Sequence, residues 1–363
     1  MTRANGARRA LQLWAGPRAR RQLRERGLRA ADVRMLAGAA GGPKGLVLNA
    51  LDRFMFGHWL QAATGPVHLL GASIGAWRMA CACRRDADAA LAALAEDYIT
   101  QRYDHEPGRA PTSGHVSAAF AEALQRSFGG HEAEVLSHPQ RRLHVFTSRG
   151  KGLLARQGRF RTPLGYLGAF AANTLHRRAM GLLLDRVVFS DARDALPLPL
   201  RRYPTHQVAL TEGNLASAIL ASCSIPFWLD AVHDIAGAPR GAYWDGGITD
   251  YHLHLDYASV SDGLVLVPHF QSTLVPGWLD KPFKRRHRAS ALLDNVVVLA
   301  PHPEWVRGLP RGKLPDRGDF KAYGDDAAAR MRDWRIALAE SARLADEFAQ
   351  WIACDSLDAQ ALP

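Results

Sequence analysis

The sequence predicts a layered α/β domain, and three observations carry that prediction. Two successive units each run from a short apolar stretch into a glycine-rich turn and then a helical stretch, the first over 33–60 and the second starting at Val67. Two later runs, 263–268 and 296–300, are strongly strand-like, and Val265, Leu266 and Val267 are too continuously apolar for an exposed alternating edge. Alanine-rich helical segments at 87–99 and 116–124 supply material to cover a sheet.

The elements follow in chain order. Residues 1–31 read as one or two basic helical segments, because Arg8, Arg9, Arg18, Arg20, Arg21, Arg24, Arg26 and Arg29 crowd ahead of the first apolar run. A strand is predicted over 33–37, a loop over 38–43 and a helix over 44–60. The second unit gives a strand over 67–70, a sharp turn at Ser73 and a helix from Ile74. Further strands are expected at 143–147 and 186–189, with a glycine-rich stretch and a helix at 169–184 between them. A helix at 215–221 precedes Pro226, whose fixed φ turns the chain before the segment carrying Asp245. The stretch 308–323, rich in Gly, Pro and charge, reads as a linker, and 327–352 as one terminal helix. There is no internal repeat.

Composition bounds the class. A chain of 363 residues, 47% hydrophobic and 22% charged, can bury a large core and is not a disordered polymer. Cys81, Cys83, Cys223 and Cys354 have no repeated metal spacing and read as reduced thiols in or near the core. Leu11, Leu13 and Trp14 are soon interrupted by Pro17, so no secretory h-region follows the first arginines, and no run approaches the roughly 20 apolar residues of a membrane span. A cytoplasmic protein is expected.

The formal charge of +11 is concentrated in the N-terminal arginines and in Lys281, Lys284, Arg285, Arg286, His287 and Arg288. A solvated arginine-rich surface accounts for the first cluster. Leu11, Trp14, Leu23 and Leu28 also allow an amphipathic lead lying on an anionic membrane. Specific nucleic-acid binding is not expected, since no aromatics interleave with the charges as a stacking platform would require.

Three motifs carry chemistry. Gly71-Ala72-Ser73-Ile74-Gly75 lies between a predicted strand and a helix, where small neighbours let the chain turn tightly and leave Oγ presented to the helix amino end. Gly41-Gly42-Pro43-Lys44-Gly45 can present the amides of Gly41 and Gly42 to a developing oxyanion, Pro43 having no N–H to offer. Asp245-Gly246-Gly247 supplies a carboxylate in a permissive turn, able to take the serine proton. Each motif alone also reads as an ordinary small-residue turn, and Lys44 as a surface cation or a contact for a lipid headgroup. A P-loop is not met, because Pro43 precedes Lys44 and Gly45 stands where Ser or Thr would hold magnesium; the dinucleotide pattern is absent too. A histidine triad is the mechanistic rival, with His269 and His302 as positional candidates and His252 and His254 near the acid in sequence.

Taken together and in this order, the three blocks resemble those of patatin-like phospholipases. Ala221-Ser222-Cys223-Ser224-Ile225-Pro226 resembles the segment that the family places before its aspartate, and the likeness covers roughly residues 33–258. The resemblance implies a three-layer α/β/α fold, here with additional terminal helices. It further implies a Ser73–Asp245 dyad, Gly41 and Gly42 at the oxyanion hole, Lys44, Gly45, Gly71, Gly75, Gly246 and Gly247 as supporting motif positions, and neither metal nor cofactor. The expected function is hydrolysis of acyl esters in lipids, with lipid as substrate and a peripheral anionic membrane as an allowed contact. The expected organisation is a basic extension (1–31), a catalytic domain (32–258) and a continuation with buried strands and a terminal helix (259–363). An inert membrane-binding scaffold and a Ser-Asp-His esterase for small soluble esters are the alternatives.

Overall fold

Runs of Val, Leu and Ala without polar alternation build the middle of one mixed sheet, because a strand covered on both faces must be apolar on both. The computed structural model describes residues 9–103, 111–260 and 262–363. Its strands are β1 (Leu11–Ala15), β2 (Val33–Gly38), β3 (Val67–Ala72), β4 (Arg141–Gly150), β5 (Leu184–Asp191), β6 (Thr205–Leu210), β7 (Val232–His233), β8 (Ala242–Asp245), β9 (Leu264–Pro268), β10 (Val296–Pro301) and β11 (Gln360–Ala361). They order as β11-β1-β10-β9-β2-β3-β4-β5-β6, with β8 paired to β4 and β7 to β8. From β10 to β4 all neighbours are parallel, whereas β1 on β10 and β5 on β4 are antiparallel.

Alternate residues of the same strand feed two cores. Leu36, Leu69, Leu266 and Val297 face the longer helices, among them Asn49–Gly57, Ile74–Ala82, Ala87–Thr100, Ser113–Phe128 and Glu212–Cys223. Leu70, Val265, Val267 and Val298 face Leu253, Leu255, Tyr257 and Leu293, carried by short 3-10 turns and connecting chain. A third cluster, with Leu154, Tyr166, Met180 and Trp244, lies beneath the helix Arg161–Leu175. The result is a mixed α/β fold with a central sheet flanked by helices and extended by further helices at the C-terminal end.

Several expectations change, among them the helix at 44–60, which is a 3-10 turn (Gly42–Leu48), the helix Asn49–Gly57 and a second 3-10 turn (Trp59–Ala62). Leu11–Ala15 is a strand and not helix: Leu11, Leu13 and Ala15 are buried while Gln12 and Trp14 are only half-buried, a period of two that the surrounding arginines obscure. Helix begins only at Pro17, running Pro17–Arg26. Because Leu23 and Leu28 are also buried, the apolar stripe needed for an N-terminal membrane lead lies inside the protein. The predicted helix at 169–184 is the helix Arg161–Leu175 followed by a 3-10 turn, Arg177–Leu182. The expected linker at 308–323 contains a 3-10 turn and the helix Gly318–Tyr323. The single terminal helix is two, Ala327–Glu340 and Ala342–Ile352, divided at Ser341. Three cysteines are buried free thiols as expected, and Cys354 is free and exposed.

Two buried ion pairs fix the elements that reach the carboxyl ends of the central strands. Arg78, on the helix after Ser73, donates to both carboxylate oxygens of Asp52 at 2.7 and 2.8 Å; Asp52 lies on the helix after the glycine loop. Arg186 of β5 holds Asp250 in the same bidentate way at 2.7 and 2.6 Å, beside the turn carrying Asp245. Removing one partner from a buried pair strands a desolvated charge. Arg78→Met is therefore expected to cost about 3–5 kcal/mol in urea unfolding, and the double variant Arg78→Met/Asp52→Leu to regain most of it. Equal midpoints for Arg78→Met and the parent would show that the pair is not a clamp.

Candidate active site

Ser73 stands immediately after β3, with φ 56° and ψ −132°, in a region that a residue with a Cβ enters at a cost of about 1–3 kcal/mol. Local hydrogen bonds hold it there. Its N–H donates to Ser222 Oγ at 2.8 Å, Ser222 Oγ donates to the Phe146 carbonyl at 2.7 Å, and its own carbonyl accepts from the Ala76 N–H at 2.9 Å. The two motif glycines are required by close approach. A Cβ at Gly71 would lie 2.3 Å from Ala76 Cα, and one at Gly75 would lie 1.8 Å from the Gly38 carbonyl oxygen. The helix after the serine is thus pressed against the end of β2.

That contact positions the glycine loop. The chain leaves β2 at Gly38, and the Ala40 N–H is tied to the Tyr251 carbonyl at 2.9 Å. Gly41 and Gly42 then border the cavity that contains Ser73. Gly42 has φ +57°, and a Cβ there would come within 3.3 Å of the Arg317 guanidinium. Gly45 is buried behind the loop, while Lys44 faces the cavity with Nζ 5.1 Å from the centroid of the Phe270 ring.

Asp245 ends β8, where its N–H donates to the Ser224 carbonyl at 2.9 Å and its carbonyl accepts from Ser148 Oγ at 3.0 Å. Its carboxylate accepts from the Gly247 N–H at 2.6 Å and lines the same cavity as Ser73. Gly246 passes so near β4 that a Cβ would stand 2.0 Å from the Phe146 carbonyl oxygen. Burial pushes the Asp245 carboxyl up to about 6, opposed by the neighbouring Ser73 hydroxyl and the Gly247 N–H and then by the positive charges of Arg317 and Lys281.

The cavity, about 270 Å³, joins these groups. Ile225, Ile248 and Trp278 give it apolar walls; Lys44, Lys281 and Arg317 give it three cations, with Asp316 nearby. Lys281 is exposed as a residue, but its ammonium lies 4.2 Å from the Tyr251 ring centroid. Desolvation there lowers it to about 8, assisted by the neighbouring charges of Lys44 and Arg317. Burial also lowers Lys44, against the pull of Asp316.

None of the four candidate histidines lines this cavity. His269 is buried, hydrogen-bonded to Gln271 and driven down to about 3 by desolvation. His302 caps a helix by accepting from the Glu304 N–H at 3.2 Å. His252 accepts from the Val275 N–H at 2.9 Å, and His254 bonds Ser290 at 3.0 Å. The sequence reading missed Tyr251, Trp278 and Asp316 as cavity residues, took Lys281 as part of a generic basic cluster and placed Arg317 in a linker. Only folding brings them to Ser73.

The sequence matches the Patatin-like phospholipase family over residues 39–253. That span is more than half of the chain, which therefore belongs to this family and takes its place among patatin-like lipid hydrolases. No curated protein matches the sequence. Trp278, Lys281, Asp316 and Arg317 all lie beyond the matched segment, so one side of the cavity belongs to the C-terminal third of the chain.

A buried carboxylate that must be ionised to accept a proton predicts an acid limb. For a soluble aryl ester, kcat/KM should fall as pH drops through about 6, where Asp245 protonates. Lys281→Gln and Arg317→Gln remove cations that favour the carboxylate, so the limb should move to higher pH in each. Unmoved limbs in pH–rate profiles of both variants would show that these charges do not act on Asp245.

Proposed function

We propose that the protein is a serine acyl-ester hydrolase acting on lipids through a Ser73–Asp245 dyad. The single observation that carries this reading is that Ser73 and the buried Asp245 line one cavity, which no histidine lines. Asp245 takes the Ser73 proton as Oγ attacks the ester carbonyl, and the amides of Gly41 and Gly42 receive the oxyanion. The C–O bond to the leaving alcohol breaks as Asp245 returns its proton to that oxygen. Water then attacks the acyl-serine, again giving its proton to Asp245; the acyl C–Oγ bond breaks as Asp245 passes that proton to Ser73 Oγ, releasing the fatty acid and restoring both groups.

Ile225, Ile248 and Trp278 suit an acyl chain, while Lys44, Lys281 and Arg317 suit an anionic part of the substrate. The segments 1–31, 32–258 and 259–363 are part of the proposal as divisions of the sequence; strands of all three share one sheet. A cytoplasmic setting, with peripheral contact to anionic membrane, agrees with four free cysteines, one exposed, and with the absence of any helix among the described residues long and apolar enough to cross a bilayer.

Ser73→Ala should lower aryl-ester turnover by about a thousandfold or more, and Asp245→Asn by about a hundredfold or more, with circular dichroism unchanged. The parent incubated with a mixed lipid extract should release free fatty acids and lysolipids detectable by mass spectrometry, and Ser73→Ala should release none. Full turnover in Ser73→Ala would end the dyad reading. Cleavage of soluble esters with no lipid cleaved in vesicles or micelles would reassign the protein to small esters.

A further inference from the structure

The helix Arg161–Leu175 is apolar on both faces. Its inner residues Thr162, Gly165, Tyr166, Ala169 and Asn173 are buried, as a helix packed on a core requires. Its outer side carries Leu164 at 55% exposure, Leu167 at 63% and Leu175 at 86%. Phe160 precedes it, Leu182 follows it, and Phe227 and Trp228 join the same region, since Phe227 stacks edge-on against Tyr166 with centroids 5.9 Å apart. Most of the large exposed hydrophobics of the described chain therefore gather on one face, which marks an interaction surface.

This face adjoins the cavity. Ile225 and Pro226 line the cavity, and the next two residues are the exposed Phe227 and Trp228. Phe227 is held at φ 72°, a conformation costly for a side chain that is left in water. From the inner side of the helix, Tyr166 packs on Trp244, the neighbour of Asp245, with centroids 5.8 Å apart.

Positive charge predominates around the face, although Asp230 lies two residues after Trp228, and Lys151 and Arg177 are paired with Asp185 and Asp280. Residues 151–184 contain no Asp or Glu but include Lys151, Arg156, Arg159, Arg161, Arg177 and Arg178. The second basic cluster is anchored to the end of the same helix: Arg286 donates to Asn173 Oδ1 at 3.1 Å and to the Thr174 carbonyl at 3.4 Å, and Phe283 stacks on Phe170 at 5.9 Å. That leaves Lys284, Arg285 and Arg288 exposed beside it. Two copies meeting through this face would bring like charges together across a desolvated contact. An anionic bilayer offers what the face lacks: acyl chains for its leucines and negative headgroups for its rim.

We propose that the outer side of the helix Arg161–Leu175, with Phe227 and Trp228, docks on an anionic lipid surface and sets the cavity mouth against it. The proposal rests on the lipid-hydrolase reading for why a bilayer is the surface met. It assigns membrane contact to the second basic cluster, not to the N-terminal arginines.

The test is co-sedimentation of Ser73→Ala protein, which leaves vesicles intact, with phosphatidylglycerol/phosphatidylcholine vesicles and with phosphatidylcholine alone. Binding should require the anionic lipid and weaken with salt. In that background Leu164→Asp/Leu167→Asp should lower vesicle partition by at least about tenfold, with thermal melting unchanged. Arg178→Ala/Lys284→Ala/Arg285→Ala, which leaves the apolar residues in place and decides the matter if the first variant misfolds, should lower it by at least about tenfold too. Arg21→Ala/Arg24→Ala should bind like its parent. The proposal is overturned if the two face variants partition like the parent, or if only the N-terminal variant loses binding. It is equally overturned if the parent ignores vesicles while sedimentation velocity shows a dimer that Leu164→Asp/Leu167→Asp dissociates. Failure of the hydrolase reading is separable: Ser73-independent lipid cleavage, or none, with vesicle binding lost in the face variants, would sink the dyad and leave the docking surface standing.

Discussion

The contact between Gly38 and Gly75 is the constraint on which the site depends. With no Cβ on either residue, the backbone at the end of β2 meets the first turn of the helix after Ser73 at a distance no other residue at position 75 allows, since its Cβ would lie 1.8 Å from an oxygen. The glycine loop departs from the same end of β2, so this one approach sets the spacing between the amides of Gly41 and Gly42 and the serine hydroxyl. The rest of the neighbourhood keeps that spacing. Ser222 ties the Ser73 amide to β4, Tyr251 ties Ala40 to the chain after Asp245, and Arg78 clamps the two helices through Asp52. A site held from several sides loses little freedom when a substrate arrives, which is what preorganised electrostatics require.

The electrostatics at Asp245 are a balance between burial and charge. Desolvation alone would favour a protonated acid; cations alone would lower its affinity for a proton. With burial leading, and the Ser73 hydroxyl and Gly247 N–H and then Arg317 and Lys281 opposing, the carboxyl comes to about 6, ionised at neutral pH yet more basic than a free aspartate. Both cations come from outside the segment that matches the family, so the C-terminal part of this chain bears on the proton affinity of Asp245. At Lys281, over the Tyr251 ring, burial and the cations Lys44 and Arg317 act together to lower the ammonium to about 8, with Asp245 opposing.

What the sequence disclosed and what it hid follow from the range of the interactions involved. The three glycine motifs were legible because turn chemistry is local: a tight turn or a close backbone approach needs glycine at that position, whatever the distant chain does. The strands at β3, β9 and β10 were legible because double burial writes itself as uninterrupted apolar residues. Arg317 was hidden, since its place beside Gly42 is set by the path of the chain after β10 and not by any pattern around residue 317. The five-residue alternation of β1 was masked by the arginines around it, which pull the reading toward a basic helix although they flank a strand. Ser341 gave no local warning either, having neither the ring of proline nor the freedom of glycine, yet the terminal helix breaks there.

The helix Arg161–Leu175, expected at 169–184, shows how a helix can be recognised in the sequence while its bounds and its exposed face are misjudged. Periodicity registers an amphipathic element by contrast between its faces, and here the contrast is missing because the outer face is as apolar as the inner. In a soluble protein such a helix belongs in the interior; this one lies at the surface with its inner side pinned by Tyr166 against Trp244. Covering leucines with charge would have been easy at positions that make no packing contact inward, and the arginines and lysines nearby are placed at its ends instead. That arrangement leaves an apolar centre within a cationic rim, the distribution that suits insertion among lipids and resists pairing with a copy of itself. The strained turn at Phe227 belongs to the same logic, because the residues just before it wall the cavity and the residues at it face outward. The proposed docking face and the cavity therefore meet along four consecutive residues, Ile225 and Pro226 on the cavity side and Phe227 and Trp228 on the outer side.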